Sequence, residues 1–112
     1  MKGISCHVLD TTRGLPAHGV PVTLDRHEAS GDWVLVGSGT TDEDGRIGDL
    51  LGGQPATAGE YRVRFDTQIY FMSHSAAAFY PRVEVTFLAS GPEHYHIPLL
   101  LSPFGYTTYR GS

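Results

Sequence analysis

The chain has 112 residues, 40% of them hydrophobic and 18% charged, with a formal net charge of −4. That length and apolar content predict one folded domain over residues 1–112 and exclude a disordered chain. A net negative charge excludes nucleic acid as the main partner, because phosphate binding needs a basic surface.

Period-two alternation dominates the pattern. Ile4, Cys6 and Val8 alternate with Ser5, His7 and Leu9, a first strand that begins almost at Met1. Thr11 to Gly19 reads as a loop broken by Gly14, Pro16 and Gly19. Val20, Val22 and Leu24 predict a second strand, and Trp33 to Val36 a third, after a turn at Ser30-Gly31-Asp32. Asp42 to Gly45 forms an acidic turn into Arg46 and Ile47, a short strand; Gly52 to Pro55 is a loop. Glu60 to Asp66 alternates Tyr61, Val63 and Phe65 with charged partners, a half-buried strand. Thr67 is placed as the cap of a short helix reaching Ser75, with Ile69 and Met72 facing inward. Pro81 then introduces Val83, Val85 and Phe87; Gly91-Pro92 turns into His94 to Leu101; Ser102 to Gly105 turns into Tyr106 to Tyr109.

Seven or eight short strands with at most one helix predict an all-β antiparallel sandwich or barrel. No apolar run approaches the roughly 18 residues that cross a bilayer. The longest, Ile97 to Leu101, is interrupted by Pro98. With no signal pattern at the start and only Cys6, which can form no internal disulfide, the expected compartment is the cytoplasm.

The chemistry sits with histidines on strands. His7 lies on the face opposite Ile4, Cys6 and Val8, and His94 and His96 lie opposite Tyr95, Ile97 and Leu99. Imidazole titrates near neutrality, which suits proton transfer. The plain alternative is that these are solvated surface residues. A third reading makes His94, His96 and His7 zinc ligands, although no cysteine pair or His-Glu helix motif completes such a site. Arg46 is either a surface cation or a forked donor for a carbonyl-rich or anionic substrate. Cys6 shares the Ile4 and Val8 face and reads as a small buried side chain. The tail from Tyr106 to Ser112 stays strand-like and aromatic, as if docked on structure or at an interface.

The segments Ile4-Ser5-Cys6-His7-Val8-Leu9-Asp10, Thr41 to Arg46, Phe79-Tyr80-Pro81-Arg82-Val83, His94-Tyr95-His96-Ile97-Pro98 and the closing Tyr109-Arg110-Gly111-Ser112 stand in an order that resembles the transthyretin-related 5-hydroxyisourate hydrolases. The resemblance covers essentially the whole chain, and the closing tetrapeptide is its most specific mark.

The resemblance implies a sandwich of two four-stranded antiparallel sheets with one short helix. It implies a homotetramer, a dimer of dimers, with active sites in the channel where dimers meet. The implied reaction is cofactor-free, metal-free hydrolysis of a ring amide of 5-hydroxyisourate, a small-molecule substrate, in urate breakdown. The residues it marks are His7 and His96 as an imidazole pair, with His7 as the base; Arg46 as substrate binder; and Tyr109 with Ser112, the latter acting through its hydroxyl or a terminal carboxylate. His94 is expected as a neighbour. The competing reading is a transthyretin-like carrier that binds a small aromatic ligand without turnover; a cluster of imidazoles speaks against it, since such a channel favours apolar walls.

Overall fold

A computed structural model describes residues 3–112; Met1, where the first strand was expected to begin, lies outside the described residues. The strands are β1 (Gly3–Asp10), β2 (Leu15–Pro16), β3 (Pro21–His27), β4 (Trp33–Thr40), β5 (Arg46–Ile47), β6 (Gly59–Phe65), β7 (Val83–Ala89), β8 (His94–Ser102) and β9 (Gly105–Thr108), with one helix, α1 (Thr67–Ser73), between β6 and β7. They form two sheets, one in the order β2-β1-β8-β9 with β5 also on β1, the other in the order β4-β3-β6-β7.

The alternation read from the sequence becomes the core. Ile4, Cys6 and Val8 of β1 and Tyr95, Ile97, Leu99 and Leu101 of β8 face Val22 and Leu24 of β3 and Tyr61, Val63 and Phe65 of β6, all in one buried cluster. Each large apolar side chain removed from water in this way contributes about 1.5–3 kcal/mol. That burial holds the sheets face to face and leaves the alternate residues of β1 and β8 on the outer surface.

The structure departs from the sequence expectations in four places. Most pairings are antiparallel, but β1 and β8 run parallel, from Gly3 opposite His94 to Asp10 opposite Leu101. The expected loop from Thr11 to Gly19 contains β2, whose Leu15 and Pro16 pair with Asp10 and Leu9. The last strand ends at Thr108, and the tail then turns back so that Gly111 bridges His96.

The fourth departure is the helix. Its cap is Asp66, whose side chain accepts from the Ile69 N–H, while Thr67 is buried and its hydroxyl donates to the Tyr80 carbonyl. Ile69 and Met72, expected inside, are 52% and 68% exposed; Tyr70 and Phe71 are buried instead. Thr67, Tyr70 and Phe71 form an i, i+3, i+4 stripe. The Tyr70 hydroxyl anchors that stripe by donating to buried Asp10 at 2.7 Å. An aromatic ring with a polar tip thus sets the roll of the helix ahead of two aliphatic residues. Among the described residues no helix is long and apolar enough to cross a membrane.

Candidate active site on the outer face of the first sheet

Three strands bring the polar residues together. In the β1–β8 ladder Ser5 stands opposite His96 and Gly3 opposite His94, while β5 places Arg46 opposite His7. Strict side-chain alternation puts Ser5, His7, His94 and His96 on the face away from the core. The His7 and His96 rings lie 6.4 Å apart, centroid to centroid, and His94 and His96 6.3 Å apart.

Arg46 owes its place to the turn before it. Asp42 Oδ1 accepts from the Asp44 and Arg46 N–H groups, both at 2.9 Å, and Val8 N–H donates to the Gly45 carbonyl at 2.7 Å. Gly45 has φ +75°, and a Cβ there would run into the Val8 carbonyl oxygen; glycine lets the turn lie flat on β1. The bond from the Arg46 N–H is the main reason the Asp42 carboxyl is held below its ordinary value.

Together these residues line an open depression of about 200 Å³, walled by Ser5, Arg46, Ile47, His94, His96 and Ser112 with Cys6 in its floor. Its electrostatics are uneven. Burial, followed by the charges of His7, His94 and Arg46, pushes the His96 imidazole below its ordinary value, so it stays neutral into mildly acid solution. Cys6 is 1% exposed and burial pushes its thiol up to about 12, so it supplies no thiolate near neutrality.

His96 is also the best-anchored ring. Its Nδ1 lies 2.8 Å from Ser5 Oγ, its carbonyl accepts from the Gly111 N–H at 2.9 Å, and Gly111 packs flat on the ring. A Cβ at position 111 would fall on His96 Cδ2 and come within 3.1 Å of Pro98 Cγ. The terminal Gly111-Ser112 step therefore clamps His96 from above while placing Ser112 at the rim.

Of the residues singled out in the sequence, Arg46, His96 and Ser112 meet here; His7 is not on the walls, and its ring stands beside them, 6.4 Å from that of His96. Tyr109 does not join them. It is 58% exposed and lines a separate groove of about 170 Å³ with Val85, Phe87, Leu88 and Arg110, reached by the depression only through the shared His96. The strand ends at Thr108 and the chain turns back to bridge Gly111 to His96, which leaves Tyr109 on the neighbouring groove.

Two further residues take part in the hydrogen bonding of the site. His94, expected as a bystander, shares Ser5 Oγ with His96, its Nε2 at 2.8 Å. Ser5, 6% exposed, was passed over although it alternates in phase with His7; a serine on a histidine-bearing face was the available signal. The nitrogens bonded to Ser5 thus point at a hydroxyl. Among the described residues no group of three or more His, Cys, Asp or Glu is arranged to hold a metal ion.

Comparison with known proteins agrees with this architecture. Residues 4–111 match the model of the HIUase/Transthyretin family. The chain is 46% identical over 110 residues to 5-hydroxyisourate hydrolase of Salmonella dublin, covering 97% of this chain and 80% of that protein. Among solved structures it is similar to sea bream transthyretin in complex with thyroxine, at 39% identity and a TM-score of 0.90 over 96% of this chain and 93% of that one. It is also similar to Klebsiella pneumoniae 5-hydroxyisourate hydrolase, at 32% identity and a TM-score of 0.86 over 97% and 98% of the two chains.

Proposed function

The chain belongs to the HIUase/Transthyretin family, and from that membership and the imidazole–guanidinium depression we propose how it works. It is a 5-hydroxyisourate hydrolase of urate breakdown, opening a ring amide to give 2-oxo-4-hydroxy-4-carboxy-5-ureidoimidazoline. The observation that carries the mechanism is that Arg46 and His96 wall one opening large enough for a small heterocycle, with the His7 ring 6.4 Å from that of His96 and His7 paired in register with Arg46.

In this scheme neutral His96 takes a proton from water through Nε2 as the oxygen adds to the ring carbonyl. The sequence expectation gave that role to His7. Its transfer to His96 rests on the anchoring by Ser5 and Gly111 and on the depressed basicity, which keeps the lone pair available. Arg46 holds the oxygen that gains negative charge. The proton taken by His96 passes by way of His7 to the ring nitrogen as the carbon–nitrogen bond breaks, and the new carboxyl group gives its remaining proton to solvent, so the carbonyl carbon leaves as a carboxylate and the nitrogen as part of the ureido group. Ser112 positions the substrate from the rim; Tyr109 has no part within one chain.

The depression is open on one side, and Leu15 (50% exposed), Phe104 (74%) and Tyr106 (43%) surround that sheet with apolar surface. A second copy packed there would dry the site and strengthen every charge in it. This supports a homotetramer, a dimer of dimers of single-domain chains with the sites at the dimer–dimer interface.

A carrier role is the competing reading, since a thyroxine-bound transthyretin shares the fold. Two imidazoles and a guanidinium make a poor wall for an apolar aromatic ligand. Purified protein is expected to accelerate the ultraviolet absorbance decay of freshly prepared 5-hydroxyisourate, with a chelator leaving the rate unchanged. Binding without acceleration would favour the carrier, and activity lost on chelation and restored by zinc would favour a metal-dependent hydrolase.

A further inference from the structure

Ser5 Oγ lies 2.8 Å from His94 Nε2 and 2.8 Å from His96 Nδ1. A hydroxyl carries a single proton, so it donates to one ring only. If both rings donated to it, its own hydrogen would be left without a partner at a position 6% exposed, at a cost. The two tautomers are therefore linked: one ring donates to the serine and the other accepts from it.

The direction follows from the function of His96, and so rests on the reading of that residue as the base. A base needs its lone pair on Nε2, which leaves the proton on Nδ1. We propose that Ser5 is a positioning residue that accepts from His96 Nδ1–H and donates to His94 Nε2, holding both imidazoles in the Nδ1–H tautomer. This is the less common form of a free imidazole, and here the serine selects it. When His96 takes a proton on Nε2, its Nδ1–H already faces the serine oxygen, so the imidazolium forms without reorientation. Buried carboxylates serve this purpose in hydrolytic triads.

Among the described residues no Asp or Glu side chain is hydrogen-bonded to His94 or His96. The charges acting on His96 come from His7 on β1, His94 on β8 and Arg46 on β5. Asp49, the acid nearest Gly3, accepts instead from the Leu51 and Gly53 N–H groups at 3.0 and 2.6 Å. A neutral hydroxyl orients the ring without adding a negative charge that would raise its basicity.

The test is nitrogen-15 NMR of the histidine rings in the parent, Ser5→Ala and Ser5→Thr proteins, with kcat and KM for each. The parent is expected to show Nδ1–H on both His94 and His96. Ser5→Ala is expected to return both towards Nε2–H and to lower kcat about tenfold with KM nearly unchanged, while Ser5→Thr, which keeps the hydroxyl, restores both readouts. A parent His96 protonated on Nε2 overturns the proposal, as does Ser5→Ala with parental tautomers and kcat. Should Ser5→Ala fail to fold, the parent and Ser5→Thr spectra decide the matter. Full activity in a His96→Ala protein would remove the base reading instead, a separate failure from an altered tautomer pattern.

Discussion

His96→Ala is expected to leave a folded sandwich whose turnover is at least about a hundredfold lower, the usual loss for an acid–base group. The fold should survive, because His96 projects from the outer face of β8 while Tyr95, Ile97 and Leu99 on the same strand carry its burial. The loss should fall on kcat, since the imidazole acts on the attacking water and makes little contact with bound substrate. In the parent protein the activity depends on the neutral ring, and burial, with smaller contributions from neighbouring His7, His94 and Arg46, lowers its affinity for protons. Activity should therefore fall as the pH drops, with the acid limb centred below the ordinary imidazole value of 6.5. Steady-state kinetics across pH, with circular dichroism to confirm folding, check both statements. An acid limb above that value would assign the titration to another group.

Arg46→Ala is expected to lower kcat/KM by about a hundredfold to a thousandfold, comparable to removing one donor from an oxyanion site. Arg46 is exposed in a single chain and belongs to no ion pair among the described residues, so the substitution should cost the fold little. Arg46→Lys keeps the charge and loses the planar fork, and should recover only part of the loss. Rates measured with freshly prepared substrate, together with thermal melting, separate a lost interaction from lost structure. Equal activity in Arg46→Ala and the parent would move the guanidinium out of the mechanism.

Much of the sandwich was readable because apolar residues alternate in β1, β6 and β8 and the inward set is buried throughout, although Ser5, Asp10 and Pro98 are buried as well. Ile4, Cys6 and Val8 go in; Ser5 stays on the opposite face with His7. The same alternation placed His7, His94 and His96 on the outer face before any pairing was known. What the pattern could not carry was partnership between distant strands. That β1 lies parallel to β8, with Ser5 between two imidazoles, depends on contacts some ninety residues apart, which no local periodicity encodes.

The helix was legible as an element, but its inward face was not, for a different reason. Ile69 and Met72 are the more hydrophobic choices over that short segment, but Tyr70 gains both burial and a hydrogen bond to Asp10, and a seven-residue helix has room for one stripe only. Tyr109, marked by the closing tetrapeptide that the resemblance supplied, stands apart from the depression within one chain, because the chain bends after β9 to bring Gly111 onto His96.

The most direct test of the central claim is a structure of the assembled protein with a slowly reacting cyclic ureide in place of substrate. The predicted result puts a ring carbonyl oxygen within hydrogen-bonding reach of Arg46, about 3 Å, with His96 Nε2 facing the same carbon through one water and a second copy closing the opening. A ureide seated in the groove between Phe87 and Tyr109, with the histidine depression facing bulk solvent in every copy, would contradict it.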